Sequence, residues 1–362
     1  MNIDREKGLN AIYGGLLLGG GGGGILSEGI KILDQVVKLG GIKLHSIDEM
    51  ENDSIVATAS LVGSPSSKDK FVGSDHYKRV YELFGSIYDK SVQGIVTNEL
   101  GAQSITNGWM LSAMTGIPFM DAPCNGRAHP TGSMGSLGLS RSKDYVSVQV
   151  CAGGKGDSEI EVTVKSTLSN TSKIIRNSAV AAGGFVTVLR NPVTAEYVKE
   201  QAAVGGIEAA IKIGSILRAD ENNIQKTISD LRSCAGLEVL CEGVLTDVIL
   251  NSRGGFDVGE CVIKSKGSTY TVSLMNEYMT AEKDGVRIAT FPDLIAIFDK
   301  KTSLPVISAE IAGDMEVVLV KIPSDRLILG ISMFDIELFK EVEHALGKNL
   351  TDYVFGKGKE GN

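Results

Sequence analysis

The chain has 362 residues, of which 43% are hydrophobic and 22% charged, and its formal net charge is -8. This length suffices for one large or two ordinary domains, and the composition is that of a folded protein rather than a disordered one. The acidic balance argues against nucleic acid and anionic membranes, and every apolar stretch of membrane-spanning length contains glycine clusters or charges. We therefore expect a small molecule as the partner, with no nucleic acid and no membrane.

The amino-terminal segment and the cysteines bear on the compartment. Residues 12–26 are apolar, but six consecutive glycines lie at their centre and acidic residues precede them, which is unlike a secretion signal. The five cysteines are widely spaced without a CxxC pair, which favours free thiols over a disulfide framework or a structural zinc knot. We expect a cytoplasmic protein.

A glycine run separates the first two predicted helices, residues 4–18 and 27–39. Its amides could face an anionic or carbonyl group of a ligand, or the run could simply allow a tight turn with close backbone packing. No strand precedes the run and it lacks the Lys-Ser/Thr of a phosphate loop, so no nucleotide is expected. The substrate-binding candidates within the run are Gly21, Gly22 and Gly23.

The next part of the chain alternates strands and helices, which predicts an α/β sandwich. The predicted strands are residues 42–45, 54–62, 93–99 and 117–120. The predicted helices between them are residues 77–88 and 102–114. Alternating patterns then predict an antiparallel element from residues 146–151, 160–164 and 185–190.

The second half has a different character. Helical patterns cover residues 193–203 (after Pro192), 206–217 and 222–234. Short strands with glycine-containing turns then extend from Leu237 to about Val320, before a last helix at residues 334–346. The predicted fold class is α/β, with an amino-terminal α/β sandwich domain over residues 1–166. Residues 167–362 form a helical connection and a second, β-rich domain.

One segment concentrates chemically active side chains. Residues 121–130 read DAPCNGRAHP and bring an acid, a thiol, a guanidinium and an imidazole into ten positions. The segment follows a predicted strand, at the sheet edge where α/β proteins usually bind ligands. Glu99 ends the preceding strand, so adjacent parallel strands would place it at the same edge as Asp121.

These side chains have structural alternatives: Glu99 can cap a helix, Arg127 can form an ion pair, and His129 can be a hydrogen-bonded loop residue. Cys124 alone would be an inert buried thiol. Next to Arg127 and His129, however, its pKa would be lowered, which suits a nucleophile or a metal ligand. Asp121, Cys124 and His129 are plausible zinc ligands, although their spacing is no standard zinc signature, so one divalent metal is the only cofactor considered.

Five strings in order along most of the chain carry a resemblance to a known family. They are the glycine run, DAPCNGRAHP, GGFDVG at 254–259, NEYxxA at 276–281 and PDLI at 292–295. The chain resembles the S-methyl thiohydantoin desulfurase family, which is often associated with hydantoinase and oxoprolinase subunits. That family more usually has an acid two places after the aspartate and an aromatic residue before the proline, where this chain has Pro123-Cys124 and His129.

The resemblance implies an amino-terminal α/β domain, a smaller β-rich domain and hydrolysis at C2 of a five-membered hydantoin-like ring. Water would replace a methylthio group and release a hydantoin and methanethiol. The residues of this chain permit such a mechanism: Asp121 or Glu99 could be the base, His129 the proton shuttle and Arg127 the anchor for a substrate carboxylate.

Other assignments stay open. Asn125 is a further substrate-binding candidate, Cys124 could attack first as a nucleophile, and a zinc ion could polarise the ring and supply hydroxide. Glu277 could close the cleft if the two domains face each other, or serve only near a turn. The competing functions are a non-catalytic ligand-binding subunit of a hydantoinase- or oxoprolinase-type system and a cyclic-amide hydrolase. A homo-oligomer or a hydantoinase-type partner subunit is also considered.

Overall fold

A computed structural model describes residues 1–63, 67, 69–219, 222–253 and 256–356. Among these residues, the strands form two eight-stranded sheets, the first between residues 2 and 194 and the second between residues 238 and 322. The first sheet is mixed, and the strand pairs of the second sheet are antiparallel. The predicted fold class, an α/β domain with a second, β-rich domain, is confirmed.

The strands of the first sheet are β1 Asn2–Ile3, β2 Ile42–His45, β3 Ile55–Gly63, β4 Gly94–Thr97, β5 Phe119–Met120, β6 Ser147–Gly153, β7 Ile160–Ser166 and β8 Phe185–Thr194. Their order across the sheet is β1-β2-β5-β4-β3-β8-β6-β7. Strands β2, β5, β4 and β3 are parallel, and β8, β6 and β7 continue the sheet with antiparallel pairing. Residues that follow the parallel strands β4 and β5 therefore meet at one edge of the sheet.

The helices are α1 Arg5–Leu18, α2 Leu26–Lys38, α3 Ser74–Ile87, α4 Trp109–Thr115, α5 Leu168–Ala181, α6 Ala195–Gln201, α7 Gly206–Ala219, α8 Ile224–Ala235, α9 Ile336–Leu346 and α10 Thr351–Phe355. Helices α1 and α7 cross at very short range. A Cβ atom on Gly14 would lie 1.8 Å from the carbonyl oxygen of Ala210, and one on Gly214 would lie 1.7 Å from that of Asn10. Only glycine permits this approach, which fixes the end of α1 and the glycine run that follows it. None of the described helices is long and apolar enough to span a bilayer.

The second sheet consists of β9 Glu238–Arg253, β10 Phe256–Ser265, β11 Ser268–Met275, β12 Glu277–Lys283, β13 Val286–Thr290, β14 Leu294–Asp299, β15 Pro305–Val306 and β16 Glu316–Ile322. Their order is β13-β12-β11-β10-β9-β16-β14-β15. Part of the GGFDVG string, Gly254 and Gly255, lies outside the described residues. The rest of that string opens β10.

The helix predicted at residues 102–114 is wrong in its first half. Residues 104–106 form a single turn of 3-10 helix, and the α-helix begins only at Trp109. Gly108 interrupts the helical path because its φ is 91°, a left-handed conformation that a helix interior does not contain.

The helix predicted at residues 193–203 also begins later, at Ala195, because strand β8 continues through Pro192 to Thr194. The register between β3 and β8 shifts where Asn191 and Pro192 lie opposite the single residue Ala57. Such a bulge tolerates a proline, which has no amide to donate to the ladder. Since β8 pairs with β3 and β6, the first sheet includes residues beyond 166, and the domain division proposed at that residue stays a prediction.

Candidate functional site

A cavity of about 430 Å³ lies where the glycine run, the edge of the first sheet and the second sheet meet. This volume falls in the range of small-molecule sites. Its ionisable or polar lining comprises Asn98, Glu99, Gln103, Ser104, Asn107, His129, Ser172, Arg176, Arg190, Asp257, Asn276, Glu277, Ser308 and Glu310, and its glycines include Gly21, Gly22, Gly23 and Gly24. Of the residues expected at the site from the sequence, Glu99, His129, Glu277 and the three glycines line the cavity. Asp121, Cys124, Asn125 and Arg127 do not.

Glu99 and His129 form a close pair on one wall of the cavity. Glu99 follows β4, and its carboxylate Oε2 lies 3.3 Å from His129 Nε2 and 3.4 Å from the His129 backbone N–H, which donates to it. The side chains are 14% and 3% exposed, respectively. Burial lowers the pKa of His129, although the charge of Glu99 opposes this shift. At neutral pH the imidazole is therefore neutral and able to accept a proton.

Glu277 approaches the cavity from the second sheet. It opens strand β12, directly after Asn276, whose φ of 59° makes the tight link from β11. Glu277 is 3% exposed, and its Oε2 is buried without a hydrogen-bond partner among the described residues.

The environment of Glu277 favours its protonated form. Burial raises the pKa of Glu277 well above its ordinary value, the negative charge of Glu99 raises it further, and the guanidinium of Arg127 opposes both. A neutral carboxylic acid at this position can donate a proton. At this cavity, burial thus lowers the pKa of the His129 imidazole and raises that of the Glu277 carboxyl, which favours the neutral form of both groups.

The glycine run is required by close packing. Gly20, Gly21, Gly23 and Gly24 have positive φ values, and a Cβ atom on Gly22 would lie 2.1 Å from Oε1 of Glu277. The carbonyl oxygens accept hydrogen bonds from neighbouring segments, such as the Tyr278 amide to Gly20 at 2.7 Å and the Ser308 amide to Gly21 at 2.8 Å. The packing interpretation is therefore supported. Contact of these amides with a ligand stays a prediction.

Arg127 lies behind the cavity rather than on its surface. Its guanidinium donates to the carbonyl oxygens of Pro292 at 3.0 Å and Asp293 at 2.7 Å, and it stacks on the ring of Phe291 at 4.7 Å. These partners all lie in the loop between β13 and β14. In place of the expected substrate anchor, the structure shows a buried tie between the two halves of the chain. Arg127 also places a positive charge near Glu277.

Asp121 serves the helix that packs next to it. Its carboxylate accepts the backbone N–H groups of Ile207 at 2.7 Å and Glu208 at 3.1 Å, which satisfies the first turn of α7. Burial raises the pKa of Asp121 to about 6, although the two amide hydrogen bonds oppose this shift. Asn125 has a similar structural contact, because its Oδ1 accepts the backbone N–H of Gly330.

Cys124 is fully buried, and its Sγ lies 3.3 Å from Oγ1 of Thr58. Burial raises the pKa of the Cys124 thiol to about 11, contrary to the lowered value expected from the sequence. The positive charge nearby is that of Arg190, and it does not offset the loss of hydration. A neutral thiol is a poor nucleophile, so this environment does not favour covalent catalysis by Cys124.

The three residues considered as zinc ligands do not converge. Asp121 is directed at α7, Cys124 at Thr58, and His129 at Glu99. In the described part of the chain no group of three or more His, Cys, Asp or Glu residues is arranged to hold a metal ion. The residues present therefore do not fit the zinc site considered from the sequence.

Two arginines of the cavity escaped the sequence analysis. Arg190 lies in β8 and Arg176 in α5, and both belong to the lining. The sequence did carry a signal for Arg190, because it ends the apolar run FVTVL of a buried strand, where a charged residue is costly. Arg176 has no such signal, since an arginine on an amphipathic helix is ordinary.

The cavity and the fold can be compared with known proteins. The family models described as S-Me-THD-like, N-terminal domain and S-Me-THD-like, C-terminal domain match residues 9–188 and 166–333. No curated protein matches the chain significantly. A crystal structure of a protein from Chromobacterium violaceum has the same fold, with a TM-score of 0.74 and 16% identity over 95% of this chain and 97% of that chain. The two family models together span most of the chain, and we conclude that the protein belongs to the S-Me-THD-like family, that of the S-methyl thiohydantoin desulfurases.

Proposed function

We propose that the protein is a hydrolase that replaces a thio group at C2 of a hydantoin-like ring with oxygen from water. The observation that carries this proposal is that the Glu99–His129 pair and Glu277, whose pKa is raised by burial, line one cavity of suitable size. Family membership supports the choice of ring.

In the proposed mechanism these residues supply and accept every proton that the reaction requires. Neutral His129, oriented by Glu99, accepts a proton from water as the water oxygen attacks C2. Glu277 donates its proton to the ring nitrogen, so that negative charge does not accumulate there. When the C2–S bond breaks, the protonated His129 supplies the proton of methanethiol, and the proton of the new hydroxyl group returns to Glu277 as the C2 carbonyl forms.

The direct test is turnover of an S-methyl thiohydantoin by the purified protein. We expect release of methanethiol, detected with a thiol reagent, and an intact hydantoin that carries one oxygen from ¹⁸O-labelled water. A ring-opened product instead would identify a cyclic-amide hydrolase. Ligand binding without any product would favour the non-catalytic subunit.

A pair of matched histidine variants identifies the site. His129 and His76 are each 7% exposed, but only His129 lines the cavity. His129→Asn should lower kcat by about 10² or more, the usual scale for a lost acid or base, while His76→Asn should leave kcat within a few-fold of the parent protein. Equal kcat in the two variants would remove His129 from the mechanism.

A further inference from the structure

The mechanism proposed above leaves two cationic side chains of the cavity unused, those of Arg176 on α5 and Arg190 on β8. The reacting ring carries no formal charge before attack, so it does not require two guanidinium groups. If these guanidinium groups have no anionic partner within the protein, that absence indicates what kind of ligand the cavity binds.

Arg190 is a buried cation that lacks a bonded partner. It is only 4% exposed, and its Nε is buried without an acceptor. No hydrogen bond or ion pair joins its guanidinium to another described residue. Burial of an unpaired charge is costly, and the usual compensation is a hydrogen-bonded anion.

The nearest acid of the mechanism does not supply that anion. Glu99 influences Arg190 electrostatically, but its carboxylate is paired with His129 at 3.3 Å. The other acids of the lining are Glu277, Asp257 and Glu310, and none of them forms an ion pair with Arg190. The Arg190 guanidinium is thus held in the cavity with its donors unused.

The fold explains how Arg190 is held in this position. It directly precedes the bulge at Asn191 and Pro192, where the register between β3 and β8 shifts. Bulges redirect side chains and are frequent next to ligand sites. Asn191 itself is anchored, because the Ser147 hydroxyl donates to its Oδ1 at 2.8 Å.

Arg176 adds a second guanidinium. Its guanidinium carbon lies over the ring of Phe256, 4.6 Å from the ring centroid. Glu341 attracts it electrostatically, but no hydrogen bond or ion pair joins its guanidinium to another described residue. Two arginines of this kind match the planar, bidentate geometry of a carboxylate.

We propose that Arg190 and Arg176 bind a carboxylate on the side chain of the substrate, so that the substrate is a hydantoin-like ring with an acidic substituent. This inference rests on the proposed function for the identity of the ring. The cavity volume of about 430 Å³ accommodates a five-membered ring with a short side chain.

The test compares two probes that differ in charge alone, the S-methyl thiohydantoins of glutamic acid and of glutamine. We expect kcat/KM to favour the acid by about 10- to 100-fold, the scale of a charge-assisted hydrogen bond, mainly through KM. Arg190→Gln should abolish this preference, and Arg190→Lys should restore part of it. The matched control is Arg287→Gln, because the Arg287 side chain is also largely enclosed, at 8% exposed, but pairs with Glu282 and does not line the cavity, and it should keep the preference.

Calorimetric binding of the same two probes separates this inference from the proposed function. Preferential binding of the acid that Arg190→Gln abolishes, without turnover, would support the inference and contradict the proposed function. Turnover of both probes with equal kcat/KM would overturn the inference alone. Equal binding without turnover would overturn both. A preference for the acid that survives in Arg190→Gln would overturn the inference alone, because Arg190 would then not be the group that binds the carboxylate.

Discussion

Strands β4 and β5 are neighbours in the first sheet, and each is followed by an acid, yet the two acids have different tasks. Glu99 after β4 faces the cavity beside His129, while Asp121 after β5 binds the amides of α7. The position of a residue after a parallel strand therefore predicts the sheet edge at which it lies, but not the function of its side chain. The role depends on what packs next to the residue, and for Asp121 that is the start of a helix.

The largest effect should come from neutralising the acid that faces the cavity. Glu99→Gln should lower kcat by about 10² or more, because the imidazole loses the carboxylate that orients it and stabilises its protonated form. Asp121→Asn, the matched change on the neighbouring strand end, should leave kcat within a few-fold of the parent protein. A steady-state assay with an S-methyl thiohydantoin decides. Equal losses in both variants would contradict the comparison.

The pH dependence should show the opposite protonation states of His129 and Glu277. The pKa of His129 is lowered, so the rate should fall only when the pH drops below the ordinary histidine range. The pKa of Glu277 is raised, so the rate should also fall as rising pH ionises it, by about tenfold per pH unit on each outer limb. Glu277→Gln should remove the alkaline limb. A limb that persists in this variant would assign the acid to another group.

The glycine run offers a finer test of the site. A Cβ atom on Gly22 would contact the Glu277 carboxylate, so Gly22→Ala should displace that side chain and lower kcat by about tenfold, with a destabilisation of about 1–3 kcal/mol. The control is Gly85→Ala in α3, where a Cβ atom meets nothing within 4 Å. Kinetics and denaturant unfolding of both variants provide the measurement. Parent-like kcat in Gly22→Ala would show that Glu277 tolerates the contact.

Asp121 should affect stability rather than catalysis. Asp121→Ala leaves one buried and one partly buried amide of α7 without their acceptor, so the free energy of unfolding should fall by about 1–3 kcal/mol while kcat of the folded protein is kept. Because the folded pKa of about 6 exceeds the ordinary value of 3.8, this group stabilises most below that ordinary value, and its contribution is lost as pH rises through 6. Asp121→Asn should flatten the dependence of unfolding free energy on pH in this window. An unchanged slope would contradict the raised pKa.

The smallest effect is expected at Cys124. Cys124→Ala should keep kcat within about twofold and cost on the order of 1 kcal/mol of stability, since the thiol is a buried neutral group. Iodoacetamide should modify the exposed Cys234 well before Cys124. If Cys124 were instead labelled rapidly, and substrate protected it from labelling, Cys124 would again be a candidate nucleophile.

Much of the fold was predictable from local patterns. The boundaries of α2 and α8 lie within two residues of the predicted ones, and the parallel strands occur where apolar runs predicted them. The errors in helix boundaries arose where the backbone conformation at a single position overrode the periodic pattern of apolar residues. Gly108 delayed α4 through its positive φ, and a bulge allowed Pro192 to remain in a strand.

The site was predictable only in part. Glu99 and His129 were found because polar residues after parallel strands meet at one sheet edge. The sequence cluster also contains Asp121, Cys124 and Arg127, whose side chains have suitable chemistry for a site. In the folded protein, however, these three side chains point to different parts of the molecule. Asp121 binds the start of a helix, Cys124 lies in the core, and Arg127 binds the loop before β14.

The sequence by itself determined the fold class, the sheet edge that borders the cavity and the family. It could do so because backbone geometry and hydrophobic periodicity act locally, and because several motifs in order carry family information. The tertiary structure decided which titratable groups are catalytic candidates. The pKa values of His129, Glu277 and Cys124 depend on burial and on charges from segments distant in sequence. Whether Arg190 finds a hydrogen-bond acceptor within the protein also depends on the fold, which places none at its Nε.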